Sequence, residues 1–443
     1  MLTRRHFIAS TAALFSPSIT GPLVASTWPS EAQKAEWDAQ VTPANYDPAT
    51  SNPWGLHPRF LPTRVIANDG LRPGDIHVDA VARYLPLAMA PYARDYVARA
   101  IRGGVLSDAQ FVVRGDLWGF PYADPAYGEF RVSGRVSGVD FAYVPDAPDW
   151  TSPWPAFTAV AGDLEFRGTA MTLRNGSARI HGVTIAGVQA LIPDLEHSPV
   201  LQLEGAARGP LADLLRYVNA TPLGDWIDGA LRQTVAGGPA ELSLGLRIPL
   251  TDTNASTVRG TLNLPGNDLH LMPTLPPLAA ARARIDFSEQ GFTVRAATAR
   301  ALGGPVGIDA ELGRDQVLRV QAQGLARADA LRAAPQFAAL AGVAHWLDGE
   351  TAYRLRVETV PGTDALNLEV SSDLVGMAVH LPPPLDKPAA EPQPLHFSLA
   401  PLAGDPRREE LLLDLGQRLQ ARFERRLDVP GTPVLRGGIG VGV

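Results

Sequence analysis

Glu241-Leu242-Ser243-Leu244-Gly245-Leu246-Arg247-Ile248-Pro249-Leu250 alternates without a break. In an extended chain successive side chains point to opposite faces. Leu242, Leu244, Leu246, Ile248 and Leu250 therefore share one face. Glu241, Ser243, Gly245, Arg247 and Pro249 share the other. Tyr353, Leu355 and Val357 alternate with Arg354, Arg356 and Glu358, and Leu366, Leu368 and Val370 alternate with Asn367 and Glu369. Strands with one apolar and one wet face belong to antiparallel sheets, and the continuous apolar runs of buried parallel strands are missing. The stretch Glu410 to Arg426 reads two ways: its place in the chain suits strands, and its Arg/Glu/Leu content suits a helix.

Working outward, the strands belong to a repeat with a period of about 120 residues. Its helical part is His77-Val78-Asp79-Ala80-Val81, then Leu211-Ala212-Asp213-Leu214-Leu215, then Arg327-Ala328-Asp329-Ala330-Leu331. Each is followed by a second short segment, ending near Val97, Trp226-Ile227 and Trp346-Leu347. Asp79, Asp213 and Asp329 are placed to cap or flank these helices. Trp226 and Trp346 read as anchors of each helix pair on its sheet. Gly103-Gly104, Gly237-Gly238 and Gly349 close the pairs, where a positive φ is wanted. The strand part is Gly162-Asp163-Leu164-Glu165-Phe166, matched by Arg284-Ile285-Asp286-Phe287 and Leu395-His396-Phe397, each after a Pro-rich hinge.

The expected fold is thus mainly β with interspersed helix pairs, its repeated antiparallel strands forming an elongated, curved, groove-like sheet. Residues 1–68 read as a lead-in, rich in Pro, Asn, Asp and Trp from Trp28 onward. Residues 69–443 read as the repeated region, with modules at about 71–200, 201–325 and 326–443. Thr3-Arg4-Arg5-His6-Phe7 resembles a twin-arginine export signal, although Pro17 and Pro22 interrupt the apolar stretch behind it.

Composition narrows the function. The 443 residues carry a net charge of −7 with 45% hydrophobic residues, so the chain folds and does not bind nucleic acid through overall positive charge. Cys is absent, which removes disulfides, thiolate metal sites and cysteine nucleophiles together. No apolar run of about 18 residues offers a membrane-spanning helix. The nine histidines stand singly, without the i, i+3 or i+4 spacing of a helical metal pair. Ala301-Leu302-Gly303-Gly304-Pro305 has no following Lys-Ser/Thr and reads as a strand bend, not a phosphate cradle. Gly-x-Ser-x-Gly is absent, and Arg131-Val-Ser-Gly-Arg-Val-Ser-Gly reads as a strand or bulge unit. Asp116, Asp163 and Asp286 recur at the module spacing and read as turn residues. No catalytic residue, metal site or cofactor is assigned, and the chain is not read as an enzyme.

Several short motifs carry a resemblance. Gly115-Asp116-Leu117-Trp118-Gly119-Phe120-Pro121-Tyr122, Ala301-Leu302-Gly303-Gly304-Pro305, Ser372-Asp373-Leu374-Val375-Gly376-Met377 and Leu381-Pro382-Pro383-Pro384-Leu385-Asp386-Lys387-Pro388 resemble, in order and spacing, the central region of the YhdP family in the AsmA-like superfamily. The resemblance implies bridge-like lipid-transfer proteins: anchored in the inner membrane of Gram-negative bacteria, crossing the periplasm, and carrying phospholipid acyl chains along an apolar β-groove. It implies phospholipid as the partner, with membrane-anchored envelope proteins or further parts of the same architecture beside it. The family's membrane-spanning helix is missing from this sequence and its relatives are longer, so the chain is expected to be a fragment, a split or truncated gene product, or a chain with a misplaced start.

The alternation leads the same way. Apolar faces that stack from module to module line one continuous trough if the sheet curls. The residues expected to line it are Leu164, Phe166, Leu242, Leu244, Leu246, Ile248, Leu250, Tyr353, Leu355, Val357, Leu366, Leu368 and Val370. The alternative is a scaffolding β-repeat protein without a ligand, its apolar faces closed into sandwich cores.

Overall fold

The computed structural model describes residues 64–65, 76–77 and 91–442, less 116–121, 123, 335–340, 362, 364, 403, 428 and 430–432. The chain opens with two short strands, β1 (Arg64–Val65) and β2 (Ile76–His77), helix α1 (Pro91–Ala100) and β3 (Ile101–Arg102). Six long strands follow: β4 (Val105–Gly115), β5 (Gly128–Phe141), β6 (Phe157–Arg167), β7 (Ala170–Ile180), β8 (Val183–Ile192) and β9 (Val200–Pro210). Helices α2 (Leu211–Ala220) and α3 (Leu223–Trp226) and the short β10 (Val235–Ala236) interrupt them. Then come β11 (Pro239–Pro249), β12 (Thr257–His270), β13 (Leu278–Ser288), β14 (Gly291–Ala301), β15 (Gly303–Leu312) and β16 (Leu318–Arg327). Helices α4 (Ala328–Ala333) and α5 (Ala341–Ala344) precede β17 (Leu347–Thr359), β18 (Leu366–Ser372), the short β19 (Met377–Val379), β20 (Leu395–Leu402), β21 (Asp405–Asp414), β22 (Leu419–Arg426) and β23 (Val434–Val441).

Each long strand pairs antiparallel with the next, from β4–β5 through β9–β11 and β16–β17 to β22–β23. The result is one open antiparallel sheet, mostly β, that does not close into a barrel. Glu410 to Arg426 resolves into β21 and β22, so position in the chain outweighs helix-forming composition there. Arg64–Val65 falls inside the stretch read as a lead-in, yet pairs with Arg114 and Val113 of β4. Asp79 and Asp116 lie outside the described residues.

The helices gather at one end of the strands. On α2, Leu211, Leu214 and Leu215 point the same way and pack on Ala240, Leu262, Leu264 and Ile285. Trp226 of α3 is buried with Val144 and Trp154. Trp346, read as the matching anchor, is 48% exposed: in the third helix pair the chain turns into β17 before the indole reaches the sheet. Asp213 and Asp329 neither cap nor flank their helices: both lie inside the first turn, and Pro210 and Arg327 occupy the N-cap positions. Gly104, Gly238 and Gly349 do have positive φ, of 95, 88 and 95°. They serve strand entry and not a helix C-terminus: Gly104 and Gly238 immediately precede β4 and β11, and Gly349 lies inside β17. A Cβ on Gly104 would collide with Val139. The segment read as a strand bend, Ala301 to Pro305, is the hairpin turn between β14 and β15. Leu302 and Gly303 both have positive φ, as a two-residue turn matching the strand twist requires.

Strand parity carries one feature that alternation alone does not show. Many long strands contain a bulge at a residue of positive φ: Asp108, Gly138, Ala159, Asn175, Gly187, Ala280 and Ala296, all exposed and all with φ between 51 and 65°. Register shifts accompany them in the ladders. Each bulge exchanges odd for even positions on the apolar face. In β7, Met171 and Leu173 are succeeded by Gly176, Ala178 and Ile180; in β8, Val183 and Ile185 are succeeded by Val188 and Ala190. The freed backbone donors find acidic partners: Ala280 N donates to Asp268 Oδ1 at 3.0 Å and Ala296 N to Asp309 Oδ1 at 2.7 Å. Bulges bend a strand and increase its twist.

An alanine in the left-handed region is strained, and glycine relieves the strain at some entropic cost. Ala296→Gly should therefore raise stability by about 0.5 kcal/mol, and Ala296→Val should lower it by about 1–2 kcal/mol. Urea unfolding of the two variants checks both signs.

Candidate functional site

The antiparallel ladder puts residues directly opposite each other on the same face. Following the registers outward from Leu242 therefore maps that face. Leu242 faces Ala207 of β9, which faces Ile185 of β8. In the other direction it faces Leu262, then Ile285, Val294, Ala310 and Val320. The row continues through Val357, Leu368, Leu399, Leu411 and Phe423. It crosses every long strand from β8 to β22 without a polar residue. A neighbouring row runs Ala322, Leu355, Val370, Phe397, Leu413, Ala421 and Ile439.

Every member of the first row is half-buried. So are all thirteen residues singled out from the sequence, from Leu164 and Phe166 through Leu250 to Val370. Leu164 and Phe166 pair with Leu173 and Met171 on the apolar face of the first run of strands. Leu242, Leu244, Leu246 and Ile248 lie on that face of β11, and Tyr353, Leu355 and Val357 on that of β17, opposite Gly324, Ala322 and Val320. Leu366, Leu368 and Val370 continue it on β18. Leu250 directly follows β11, and its N–H donates to Pro199 O at 2.8 Å.

Half-burial across so many strands has a simple cause. A sandwich buries such a face under a second sheet about 10 Å away. Here the described chain supplies only the helices and loops at one strand end. Below α2 the apolar face is closed by Leu211, Ala240 and Leu264, and farther along the same end by Ala281, Ala299, Ala301 and Val306. Toward the opposite strand ends, nothing comparable among the described residues lies over Leu244, Phe287, Phe292 and Leu312, which with Gly205 and Gly260 line a concavity of about 990 Å³.

The other face is wet and ionic. Arg208 meets Glu241 at 2.9 Å, and Arg319 meets Glu358 at 3.4 Å and Asp315 at 2.8 Å. Asp163 and Asp286 belong to this face and not to turns. Asp163 accepts from Asn175 and Arg135, and Asp286 from Arg284 and Thr261; these bonds hold both carboxyls below the usual range. Solvent screens exposed pairs of this kind, so each adds little to stability. They keep the polar face soluble without fixing a ligand.

Two features were not legible as functional. One is an aromatic cluster between the β5–β6 loop and the helices. Tyr143 and Tyr217 share a hydroxyl hydrogen bond of 2.8 Å, and Trp154 packs edge-on to Tyr143 and against Trp226. Tyr96 of α1 donates to Tyr143 O at 3.0 Å, tying the helix segments together. The other is Lys387, buried in the Pro-rich loop, whose Nζ donates to Met377 O at 2.8 Å and Pro388 O at 3.0 Å. Loss of water lowers its pKa from the ordinary value. Among the described residues no group of three or more His, Asp or Glu could hold a metal.

These features define a class: an open antiparallel sheet with one continuous apolar face, closed by short helices at one strand end. The sequence pattern of the family described as YhdP protein matches residues 71–443, and the chain belongs to that family. It is 27% identical over 303 residues to the intermembrane phospholipid transporter YhdP of Escherichia coli (strain K12), an alignment covering 67% of this chain and 23% of that protein. The matched part is thus about a quarter of that relative's length. No solved structure matches the chain.

Burial raises the Tyr96 hydroxyl to a pKa of about 12 from 10.0. The folded state then holds a proton that the unfolded state releases near pH 10, so stability is intact below pH 10 and falls between pH 10 and about 12. Tyr96→Phe should flatten that fall, read by thermal melts across this range.

Proposed function

We propose that this chain forms part of a phospholipid conduit, with acyl chains lying along the apolar face and headgroups remaining in water. The observation that carries the reading is the unbroken, half-buried apolar row from β8 to β22. An acyl chain laid on such a face gains about 0.8 kcal/mol per CH₂ removed from water. Strand bulges bend the sheet toward a trough, and the row is continuous because register preserves it. The absence of a headgroup motif fits a ligand recognised by its hydrocarbon. The thirteen residues from Leu164 to Val370 named from the sequence are the proposed lining.

The name of the Escherichia coli relative supports phospholipid as cargo and a place between two membranes; we take that place to be the periplasm. Among the described residues no helix is long and apolar enough to cross a membrane. We take the repeating unit as one helix segment followed by six long strands, with modules near 71–200, 201–325 and 326–443 and a lead-in at 1–68. No enzymatic step is part of this function.

Leu246 and Arg247 separate conduit from closed scaffold. On an uncovered face Leu246→Asp keeps its charge hydrated and should cost about 1 kcal/mol, whereas in a sealed core it would cost several. Capture of a photoreactive phospholipid should fall sharply in Leu246→Asp and persist in Arg247→Asp. Failure of the unsubstituted protein to capture lipid, together with unfolding of Leu246→Asp, would replace the conduit by a ligand-free scaffold.

A further inference from the structure

Aligning the strand repeat on Phe166 and Phe287 compares one position of the wet face in two modules. Each phenylalanine pairs across a hairpin, Phe166 with Met171 and Phe287 with Phe292. Arg284 then stands at the position of Asp163, Arg295 at that of Arg174, and Ala296 at that of Asn175. Asn175 and Ala296 even share a positive φ, of 53 and 51°. On the preceding strand, Asn263 opposite Arg284 takes the place of Arg135 opposite Asp163. In the first module this position is neutralised from within: Asp163 accepts from Asn175 Nδ2 at 2.9 Å and from Arg135 Nε at 3.2 Å. In the second module a guanidinium stands in place of that carboxylate and a methyl in place of the amide. A further arginine, Arg282, stands where the first module has Ala161.

Arg282, Arg284 and Arg295 line a concavity of about 430 Å³ at the β14 bulge, together with Asn263 and Thr298. Arg282 and Arg284 are two residues apart on one face of β13, roughly 7 Å along the strand. Arg295 comes from β14, and all three are exposed. Asp286 holds Arg284, which donates from Nε to both carboxylate oxygens and from Nη2 to Oδ1 at 3.1 Å. Arg282 commits only its Nε, to Pro265 O at 3.1 Å. Arg295 has no hydrogen bond or ion pair among the described residues. The one carboxylate lining the concavity, Glu241, faces Arg208 at 2.9 Å. The site therefore holds an excess of positive charge and of uncommitted N–H donors, all on the face opposite the apolar row.

We propose that Arg282, Arg284 and Arg295 bind a phosphate group that carries more than one negative charge. Guanidinium forks match phosphate oxygens in pairs, and a phosphate monoester carries about −1.5 to −2 at neutral pH, which suits three arginines better than a single carboxylate does. The Asn263 amide and the Thr298 hydroxyl add neutral donors beside them. The sheet itself separates this site from the headgroup of any lipid lying on the apolar face. The phosphate is therefore either the headgroup of a lipid in a bilayer that the wet face meets, or a soluble phosphate. The site stands whether or not the apolar face carries lipid.

Calorimetric titration with inorganic phosphate at low ionic strength should show saturable binding that weakens as salt is added. Arg295→Gln and Arg282→Gln should each weaken it about tenfold. Arg174→Gln, at the matching position of the first module, should leave it unchanged. All three side chains are exposed, so circular dichroism should be the same throughout. Co-sedimentation with phosphatidylcholine vesicles, with and without phosphatidic acid of the same acyl chains, identifies the source, because capture by the apolar face is common to both. A gain with phosphatidic acid that Arg295→Gln removes assigns the site to a lipid headgroup. Phosphate binding lost in Arg295→Gln without such a gain assigns it to a soluble phosphate. The proposal is overturned if the unsubstituted protein binds neither probe, if Arg295→Gln leaves the binding of both as it was, or if Arg174→Gln weakens binding as much as Arg295→Gln does.

Discussion

Register is the constraint on which the rest of the sheet depends. With a side-chain period of two, a slip by one residue in any ladder would turn that strand's leucines to water and its arginines inward. The row from Ile185 to Phe423 requires twelve successive ladders to agree. A globular core corrects such errors by three-dimensional packing. This sheet has less of that help, because its apolar face is covered mainly at one strand end. The cross-strand pairs themselves, Leu246 with Leu203 or Val357 with Leu368, and the ion pairs behind them must hold the register.

The bulges make this harder and more useful. A bulge inserts one residue, so the strand beyond it presents the opposite parity. Every exchange of parity in β7 is met by another in β8, at Asn175 and Gly187, and that in β13 by one in β14, at Ala280 and Ala296. In these two pairs both strands change phase, and the apolar face survives the bend. Asp268 and Asp309 receive the N–H groups that the bend frees. Geometry and hydrogen bonding thus meet in the same few residues.

The sequence displayed the face but not the bend. Glu241 to Leu250 and Tyr353 to Val357 alternate cleanly because β11 and β17 carry no such bulge, and both lie where their pattern says. In Leu278-Ala-Ala-Ala-Arg-Ala-Arg-Ile285, the phase change at Ala280 looks like a loss of pattern. Only the pairing with β12 and β14 shows it to be a switch. Trp226 and Trp346 had matching positions in the repeat, yet one is buried and the other exposed. Their difference depends on what the β5–β6 loop brings to α3, a contact some seventy residues away along the chain that no local reading contains. Asp163 and Asp286 read as turn residues because recurrence alone does not distinguish a turn from a ladder position on a wet face.

Half-burial has a calorimetric consequence. The heat capacity of unfolding follows the apolar area newly exposed to water, about 12–15 cal/mol/K per residue in globular domains. Leu242, Val294, Val357 and Leu399 are already partly hydrated in the folded chain, so less area remains to be exposed. The increment per residue is accordingly small, and the stability curve against temperature is broad and shallow. Such a sheet loses little of its stability on cooling, while anything that covers its apolar face steepens the curve.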